Sequence, residues 1–282
     1  MQAQHLLAQG VRALQTAGIE GAARDARWLM AHALGVAQDR LLLALHDPVT
    51  EAQAAQFRRA ISARANHQPV AQITGQRLFW GRRFRVTPDV LDPRPETETL
   101  IEQALAQPFA RVLDLGTGSG AILCTLLAEQ VEATGLGVDL SPAALEVAQS
   151  NAAALGVASR AVFRCSDWCA DVTGQFDLIV SNPPYIAASE VADLAPETRD
   201  WEPRMALVPD HCDGSGLAAY RVIAAQAPRH LAPGGRLVVE IGLGQGPAVL
   251  ALFTAGGLQA GVLCKDLTGR ARVVTARMPA EL

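Results

Sequence analysis

The sequence has few aromatic residues, no excess of positive charge and no long hydrophobic run, and each shortage narrows the class of protein. Only 5% of the 282 residues are aromatic, although 50% are hydrophobic, and Ala, Leu and Gly dominate. This balance favours helices packed on a sheet over a β-sandwich. The formal net charge of -4 argues against a protein that holds nucleic acid chiefly through its phosphates. We therefore expect an α/β fold and no stable nucleic-acid partner.

Cysteine is also scarce, and it lacks the paired spacing of a zinc site. The odd number of cysteines indicates free thiols in a reducing compartment and no metal centre; they are Cys124, Cys165, Cys169, Cys212 and Cys264. No apolar run reaches the roughly 20 residues of a membrane span, and the first residues do not resemble a secretory signal. We expect a cytoplasmic protein that has no membrane partner.

The front of the chain has the period of amphipathic helices. From Gln4 to about Asn66, apolar residues recur at helical spacing, and Thr50 with Gln53 three residues later is typical of a capping box. Residues 1–75 are therefore predicted to form a small helical bundle domain. In residues 76–95, apolar and polar residues alternate around Gly81, and a proline-rich stretch follows. This pattern predicts a β-hairpin linker.

The hairpin carries a basic cluster of Arg82, Arg83 and Arg85. Such a cluster can bind a phosphate backbone, but solvated surface positions are the commoner explanation. We favour the surface interpretation and leave contact with substrate open.

Residues 96–282 alternate between strand-like and helical segments. Five strands are predicted, at Arg111–Leu115, Gly135–Leu140, Ala161–Asp167, Phe176–Asn182 and Gly235–Gly242. The segments that join the first three have helical periodicity and a length suited to crossovers between parallel strands. Two further strand-like runs flank Gly269. A largely parallel sheet that ends in an antiparallel hairpin is the expected fold.

A glycine-rich turn follows the first of these strands. In "VLDLGTGSGA", three glycines occur between the strand and the next helix, where they permit a tight turn and close approach of a ligand to free N–H groups. This motif alone is compatible with a dinucleotide site or with an empty tight turn. The candidate ligand-binding residues of the turn are Gly116, Thr117, Gly118, Ser119 and Gly120.

Two other strand ends converge on the same edge of the sheet. Asp139 ends the second strand, about 20 residues after the glycines, where a carboxylate can accept hydrogen bonds from both hydroxyls of a ribose. Ser141 and Pro142 are suited to begin the next helix, so we expect Asp139 to be free for a ligand. Asp167 and Trp168 end the third strand, where an indole can cover an adenine ring or simply fill the core.

The fourth strand delivers Asn182, Pro183, Pro184 and Tyr185 to this crevice. The prolines remove two N–H donors and keep their carbonyls, and Asn182 adds an acceptor, so the loop is stiff and rich in acceptors. Such a loop suits a substrate NH₂ group whose nitrogen must be aimed at an electrophile, with Tyr185 stacked on the planar group. Orientation can supply about 7–11 kcal/mol of a barrier, so this chemistry requires no strong base.

In this order, "VLDLGTGSG", "VDLS", "SDW" and "VSNPPY" resemble class I S-adenosylmethionine-dependent methyltransferases that act on a planar nitrogen. The resemblance implies a Rossmann-like sheet with S-adenosyl-L-methionine as cofactor. Residues 116–120 would then wrap the methionine part, Asp139 would bind the ribose and Trp168 would lie by the adenine. Asn182 would face both the cofactor and the accepting amide, which residues 182–185 hold during a direct in-line transfer.

The segment before this domain is similar to one family in particular. "QPVAQITGQRLFWGRRFRVTPDVLDPRPETETLIE", with "WEPRMALVPDHCDGSGLAAYRVI" and "KDLTGRARVV", resembles the peptide chain release factor glutamine methyltransferases, the HemK/PrmC family. The resemblance implies methylation of the side-chain N5 of a glutamine in class I release factors, which the helical domain would grip. Gln72, Asp92 and Ala271 depart from the family pattern. A ribosomal-protein glutamine methyltransferase and, less favoured, an adenine-N6 nucleic-acid methyltransferase stay open as alternatives.

Overall fold

The computed structural model describes residues 1–209, 214–259 and 261–280, and these form two compact units. The first unit contains Met1–Gln76 together with a later segment, Ala195–Trp201. The second contains Arg77–Leu194 and the chain from Glu202 onward. Cys212, one of the cysteines predicted to be free, lies outside the described residues.

The first unit is helical, as the spacing of its apolar residues predicts. Its helices are α1 (Ala3–Thr16), α2 (Ala22–Leu34), α3 (Leu41–Ala44), α4 (Glu51–Ala65), α5 (Val70–Thr74) and, numbered in chain order, α9 (Pro196–Arg199). The apolar faces of α1, α2 and α4 meet in a core that includes Leu14, Leu29 and Phe57. The predicted capping box is confirmed, since Gln53 N donates to Thr50 Oγ1 and Thr50 N donates to Gln53 Oε1.

A buried guanidinium ties the later segment to this bundle. Arg64, on α4, is 5% exposed and contacts Asp25 on α2 and Glu197 on α9, each at 2.8 Å. Gln72 donates to the main-chain oxygen of Trp201 at 2.8 Å, so this departure from the family pattern has a polar partner. These bonds explain why residues 195–201 belong to the helical unit.

The second unit contains all nine strands of the described residues. The strands are β1 (Gln76–Phe79, which begins at the unit boundary), β2 (Arg82–Arg85), β3 (Arg111–Leu115), β4 (Thr134–Asp139), β5 (Ala161–Cys165), β6 (Phe176–Ser181), β7 (Leu231–Glu240), β8 (Leu263–Lys265) and β9 (Ala271–Arg277). The helices of this unit are α6 (Glu98–Leu105), α7 (Ala121–Glu129), α8 (Pro142–Ala154), α10 (Arg204–Leu207), α11 (Ala218–Gln226) and α12 (Gly246–Ala255). The β1–β2 hairpin about Gly81 is confirmed.

The main sheet has seven strands in the order β5-β4-β3-β6-β7-β9-β8. Neighbours from β5 to β7 pair in parallel, and β9 pairs antiparallel with β7 and β8, which confirms both the parallel sheet and the terminal hairpin. β7 begins four residues before its predicted start, because Leu231 pairs with Phe176 before a register shift.

Successive side chains of the central strands point to opposite faces of the sheet, so the sheet has a hydrophobic core on each face. Val112 and Val238 contribute to a core with α6 and α7, whereas Leu113 and Val239 contribute to a core with α11 and α12. Helices therefore cover both faces of the sheet, and its carboxyl edge at β3, β4 and β6 is the place where an open α/β sheet binds ligands.

Candidate active site

A cavity of about 560 Å³ lies at this edge, within the usual range for small-molecule sites. The structure brings eight of the predicted site residues to its lining: Gly116, Thr117, Gly118, Ser119, Asp139, Trp168, Asn182 and Pro184. Gly120, Pro183 and Tyr185 are near in sequence but are not part of the lining. The cavity therefore gathers the ends of four strands into one site.

The glycine turn adopts a backbone that other residues avoid. Gly116 and Gly118 have φ of 70° and 53°, and a Cβ at either would meet no described atom within 4 Å. Their backbone conformation, not crowding, demands glycine. Gly120 (φ 74°) differs because a Cβ there would lie 3.0 Å from the Ala148 Cβ on α8. Gly120 thus serves the packing of α7 on α8.

A buried carboxyl group accepts a hydrogen bond from the glycine turn and helps to fix its conformation. Asp114, at the end of β3, is fully buried and accepts a hydrogen bond from Thr117 Oγ1 at 2.6 Å. Burial raises the pKa of Asp114 to about 7, against the stabilising effect of this bond. The hydrogen of the Thr117 hydroxyl is therefore already donated to Asp114.

Asp139 is already hydrogen bonded by the backbone. Its Oδ2 accepts from Gly118 N at 2.8 Å and its Oδ1 accepts from Ser141 N at 2.9 Å. Ser141 caps α8 as predicted, by accepting from Ala144 N. The expectation that Asp139 is free for a ligand stays a prediction, although the glycine turn already presents an N–H to its carboxylate. Each carboxylate oxygen retains a further lone pair, so Asp139 can still accept hydrogen bonds from a ligand.

Trp168 stands in a strained position beside the cavity. Its φ is 52°, a conformation that costs a bulky residue roughly 1–2 kcal/mol. Ser166 Oγ donates to the Trp168 carbonyl at 3.0 Å and so supports the turn. The half-buried ring both packs on the core and lines the cavity. Contact of Trp168 with an adenine ring stays a prediction. The exposed Asp167 also lines the cavity.

The Asn-Pro-Pro-Tyr loop is held from behind by a glutamine. Gln245 Nε2 donates to the Tyr185 carbonyl at 3.0 Å, and its Oε1 accepts from Gly242 N at 2.9 Å. Gly216 approaches so closely that a Cβ there would lie 2.4 Å from the same carbonyl. The Tyr185 ring packs against the core, and burial raises its pKa to about 12, so the phenol stays neutral. Stacking of Tyr185 on a substrate stays a prediction.

Two buried polar residues connected to Asn182 by hydrogen bonds were not predicted from the sequence. Asn182 Nδ2 donates to Thr97 Oγ1 at 3.4 Å, and Thr97 Oγ1 donates to Glu240 Oε2 at 2.6 Å. Thr97 and Glu240 are 4% and 2% exposed. Burial raises the pKa of Glu240 to about 7. Thr97 belongs to the Pro-Glu-Thr-Glu run, whose only clue in the sequence was its family resemblance.

A charged cluster joins two walls of the cavity. Asp92 is 3% exposed and pairs with Arg77 at 3.3 Å, and its N–H donates to Glu202 Oε2 at 3.2 Å. Arg94 pairs with Glu202 Oε1 at 2.9 Å. Burial raises the pKa of both acids. These ion pairs and this hydrogen bond connect the segment before Pro93 to the segment that begins at Glu202. Residues 76–95, predicted to be a linker between domains, therefore also contribute to the site.

Other predicted features lie away from the cavity. Arg82 of the basic hairpin pairs with Glu129 at 2.8 Å. The described cysteines, Cys124, Cys165, Cys169 and Cys264, are free thiols. Within the described ranges, no group of three or more His, Cys, Asp or Glu residues is arranged to hold a metal ion. No helix of the same ranges has the length and apolar character needed to cross a bilayer.

Comparison with known protein families finds a match in each of two regions of the chain. Residues 5–75 match the family model described as "PrmC N-terminal domain", and residues 91–198 match "Methyltransferase small domain". A solved structure of a methyltransferase from Pyrococcus furiosus has a TM-score of 0.52 at 16% identity, with 71% of this chain and 91% of that chain covered. This likeness concerns the fold alone.

Curated relatives match over nearly the whole chain. The release factor glutamine methyltransferase of Cereibacter sphaeroides is 60% identical over 280 residues, which are 99% of this chain and 100% of that protein. The protein of the same name from Rhodospirillum rubrum is 47% identical over 277 residues, 96% of this chain and 84% of that protein. The chain therefore belongs to the release factor glutamine methyltransferase family.

Proposed function

We propose that this protein transfers a methyl group from S-adenosyl-L-methionine to the side-chain N5 of a glutamine in a class I peptide chain release factor. The observation that carries the proposal is the convergence of Asn182 and Pro184 with the glycine turn and Asp139 on one cavity. The names of the relatives support the choice of release factor as substrate. A cytoplasmic location is part of the proposal, because the substrate is a translation factor.

The lining fits the proposed cofactor in chemistry as well as in volume. Gly116 and Gly118 leave open space over a turn whose backbone a ligand can approach, and Asp139 keeps acceptor capacity for ribose hydroxyls. Trp168 offers an aromatic face, and Asp167 offers an acceptor for an exocyclic amine. When bound, S-adenosylmethionine supplies a methyl group on a positively charged sulfur, which makes that carbon electrophilic.

The residues of the loop would hold the substrate amide. Asn182 Oδ1 and a proline carbonyl accept the two amide hydrogens, which fixes the nitrogen and turns its lone pair toward the methyl carbon. Because amide nitrogen is a poor nucleophile, most of the acceleration is assigned to orientation, worth about 7–11 kcal/mol in favourable cases. As the new C–N bond forms, the bond between the methyl carbon and the sulfur would break with its electron pair staying on sulfur, and the amide N–H proton would then pass to water.

The helical unit would contribute the release-factor contact. Leu42 and Leu43, both on α3, are 69% and 81% exposed, which is unusual for two adjacent leucine side chains. We expect Leu42→Ser with Leu43→Ser to raise the KM for intact release factor and to leave methylation of a short glutamine peptide unchanged. Leu267→Ser, at an exposed leucine of the second unit, is the matched control. Equal KM values for the two variants would remove the docking role.

The direct test uses methyl-labelled S-adenosylmethionine with release factor, ribosomal subunits and DNA in separate reactions, followed by mass mapping. Label on the release-factor glutamine is expected. Label only on ribosomal protein or on adenine would refute the substrate while retaining the cofactor. Asn182→Ala should reduce transfer by a few orders of magnitude with little change in cofactor affinity. A parallel fall in affinity would contradict the role of Asn182.

A further inference from the structure

Asn182 can act on an amide substrate only if the correct end of its own side chain faces the cavity. Its Oδ1 accepts hydrogen bonds and its Nδ2 donates them, and the two ends are nearly equal in size and shape. Rotation by 180° would present NH₂ to the substrate NH₂, which loses a hydrogen bond and adds repulsion. Something in the fold must therefore select one orientation.

Thr97 and Glu240 are placed to make this selection. Glu240 Oε2 accepts the Thr97 hydroxyl hydrogen at 2.6 Å, and both side chains are almost completely buried. A threonine hydroxyl has a single hydrogen, so Thr97 Oγ1 can then only accept from its other neighbour. That neighbour is Asn182, whose Nδ2 lies 3.4 Å away.

The two hydrogen bonds, from Asn182 to Thr97 and from Thr97 to Glu240, form a relay, and their different strengths show which group orients the other. The 2.6 Å bond to a buried carboxyl group is short and strong, whereas the 3.4 Å bond is long and weak. Glu240 therefore fixes the hydroxyl, and the hydroxyl biases the amide. A carboxyl group protonated on Oε1 keeps Oε2 as an acceptor, so the bias does not require a charged Glu240.

We propose that Thr97 and Glu240 are positioning residues that orient the Asn182 side chain, so that Oδ1 faces the cavity to receive the substrate amide. This proposal rests on the methyl transfer proposed above. It adds a reason for the site to select a substrate with an NH₂ group over other planar groups. Thr97 acts through Asn182, although it also lines the cavity.

A double-mutant cycle separates the relay from direct substrate contact. Thr97→Val removes the hydroxyl at constant volume and should lower the single-turnover rate by about 10- to 100-fold, with unchanged KM for cofactor. In the Asn182→Ala background the same change should have no further effect. Thr97→Ser should restore most of the rate. Equal losses in both backgrounds would overturn the proposal, because Thr97 would then act independently of Asn182.

A second variant tests the relay from outside the cavity. Glu240 is not part of the lining, so Glu240→Leu should reproduce the rate loss of Thr97→Val without touching substrate. Calorimetric binding of S-adenosylhomocysteine to each variant checks that the fold is intact. Wild-type rates in a folded Glu240→Leu protein would refute the role of the carboxyl group.

An activity-independent measurement distinguishes this inference from the proposed function. In the cofactor-free protein, the Asn182 side-chain NH₂ should give a single NMR signal pair with slowed hydrogen exchange. Thr97→Val should shift this pair and speed its exchange. Unaltered signals would refute the relay even if the enzyme is active, whereas altered signals with no methylation of release factor would refute only the substrate.

Discussion

Gly216 should be essential for the geometry of the Asn-Pro-Pro-Tyr loop, and its substitution by alanine gives a measurable prediction. Its φ is 68°, and a Cβ would lie 2.4 Å from Tyr185 O and 2.9 Å from Gln245 Nε2. An ordinary C···O contact is about 3.3 Å, so the Tyr185 carbonyl must move by roughly 1 Å. A displacement of this size in a positioning element can cost about 100-fold in rate.

Gly156→Ala is the matched control for backbone strain. Gly156 has a φ of 72°, but a Cβ there would meet no described atom within 4 Å. Both variants should lose about 1–2 kcal/mol of unfolding free energy from the left-handed conformation. Gly216→Ala should lose a further 0.5–1.5 kcal/mol or so, because the bond from Gln245 to Tyr185 is displaced.

The assay pairs urea unfolding with single-turnover methyl transfer at saturating cofactor. We expect Gly156→Ala to be less stable but as fast as the wild type, and Gly216→Ala to be both less stable and about 100-fold slower. A Gly216→Ala enzyme with the wild-type rate would refute the reasoning, since the loop would then tolerate the shift. Equal slowing of both variants would assign the effect to stability.

Three further predictions concern the cofactor, the helical unit and pH. Asp139→Ala should weaken S-adenosylhomocysteine binding at least 100-fold in calorimetry, since two charge-assisted bonds of roughly 1.5–3 kcal/mol each are lost; unchanged affinity would exclude the ribose role. Arg64→Met leaves the buried Asp25 with only the largely exposed Arg24 as an ion-pair partner and should cost about 3–5 kcal/mol in urea unfolding, whereas Arg58→Met, at an exposed pair, should cost under about 1 kcal/mol. The pKa of Glu240 is raised from 4.5 to about 7, so its contribution to stability is complete below pH 4.5 and is lost as pH rises through 7. Relative to Glu240→Gln, the wild type should lose about 1.4 kcal/mol per pH unit in this window, and parallel stability curves would contradict the shift.

Local patterns were enough to predict most elements of the fold. Alternation within β3 and β6 and helical spacing in α1 and α4 reflect which side chains meet the core, and that information lies between neighbours in the sequence. The start of β7 was predicted four residues too late. Pairing of Leu231 with Phe176 extends this strand, and pairing across a sheet leaves no local signal.

The same distinction applies to the site. Strand ends that carry Gly116, Asp139 and Asn182 were predictable, because parallel strands bring their carboxyl ends to one edge. Whether each group is available to a ligand was not predictable. The carboxylate of Asp139 accepts from Gly118 N, a partner 21 residues away that only the folded turn presents.

By itself, the sequence determined the α/β class, the helical front domain, the glycine turn and the acceptor-rich loop, since each depends on residue types at short spacing. Only the tertiary structure decided that residues 195–201 join the helical unit, through the ion pair of Arg64 with Glu197. It also decided that Thr97 meets Glu240 across 143 residues. Hydrogen bonds and ion pairs between distant residues form only after chain folding brings them within about 3 Å, and no periodicity records them.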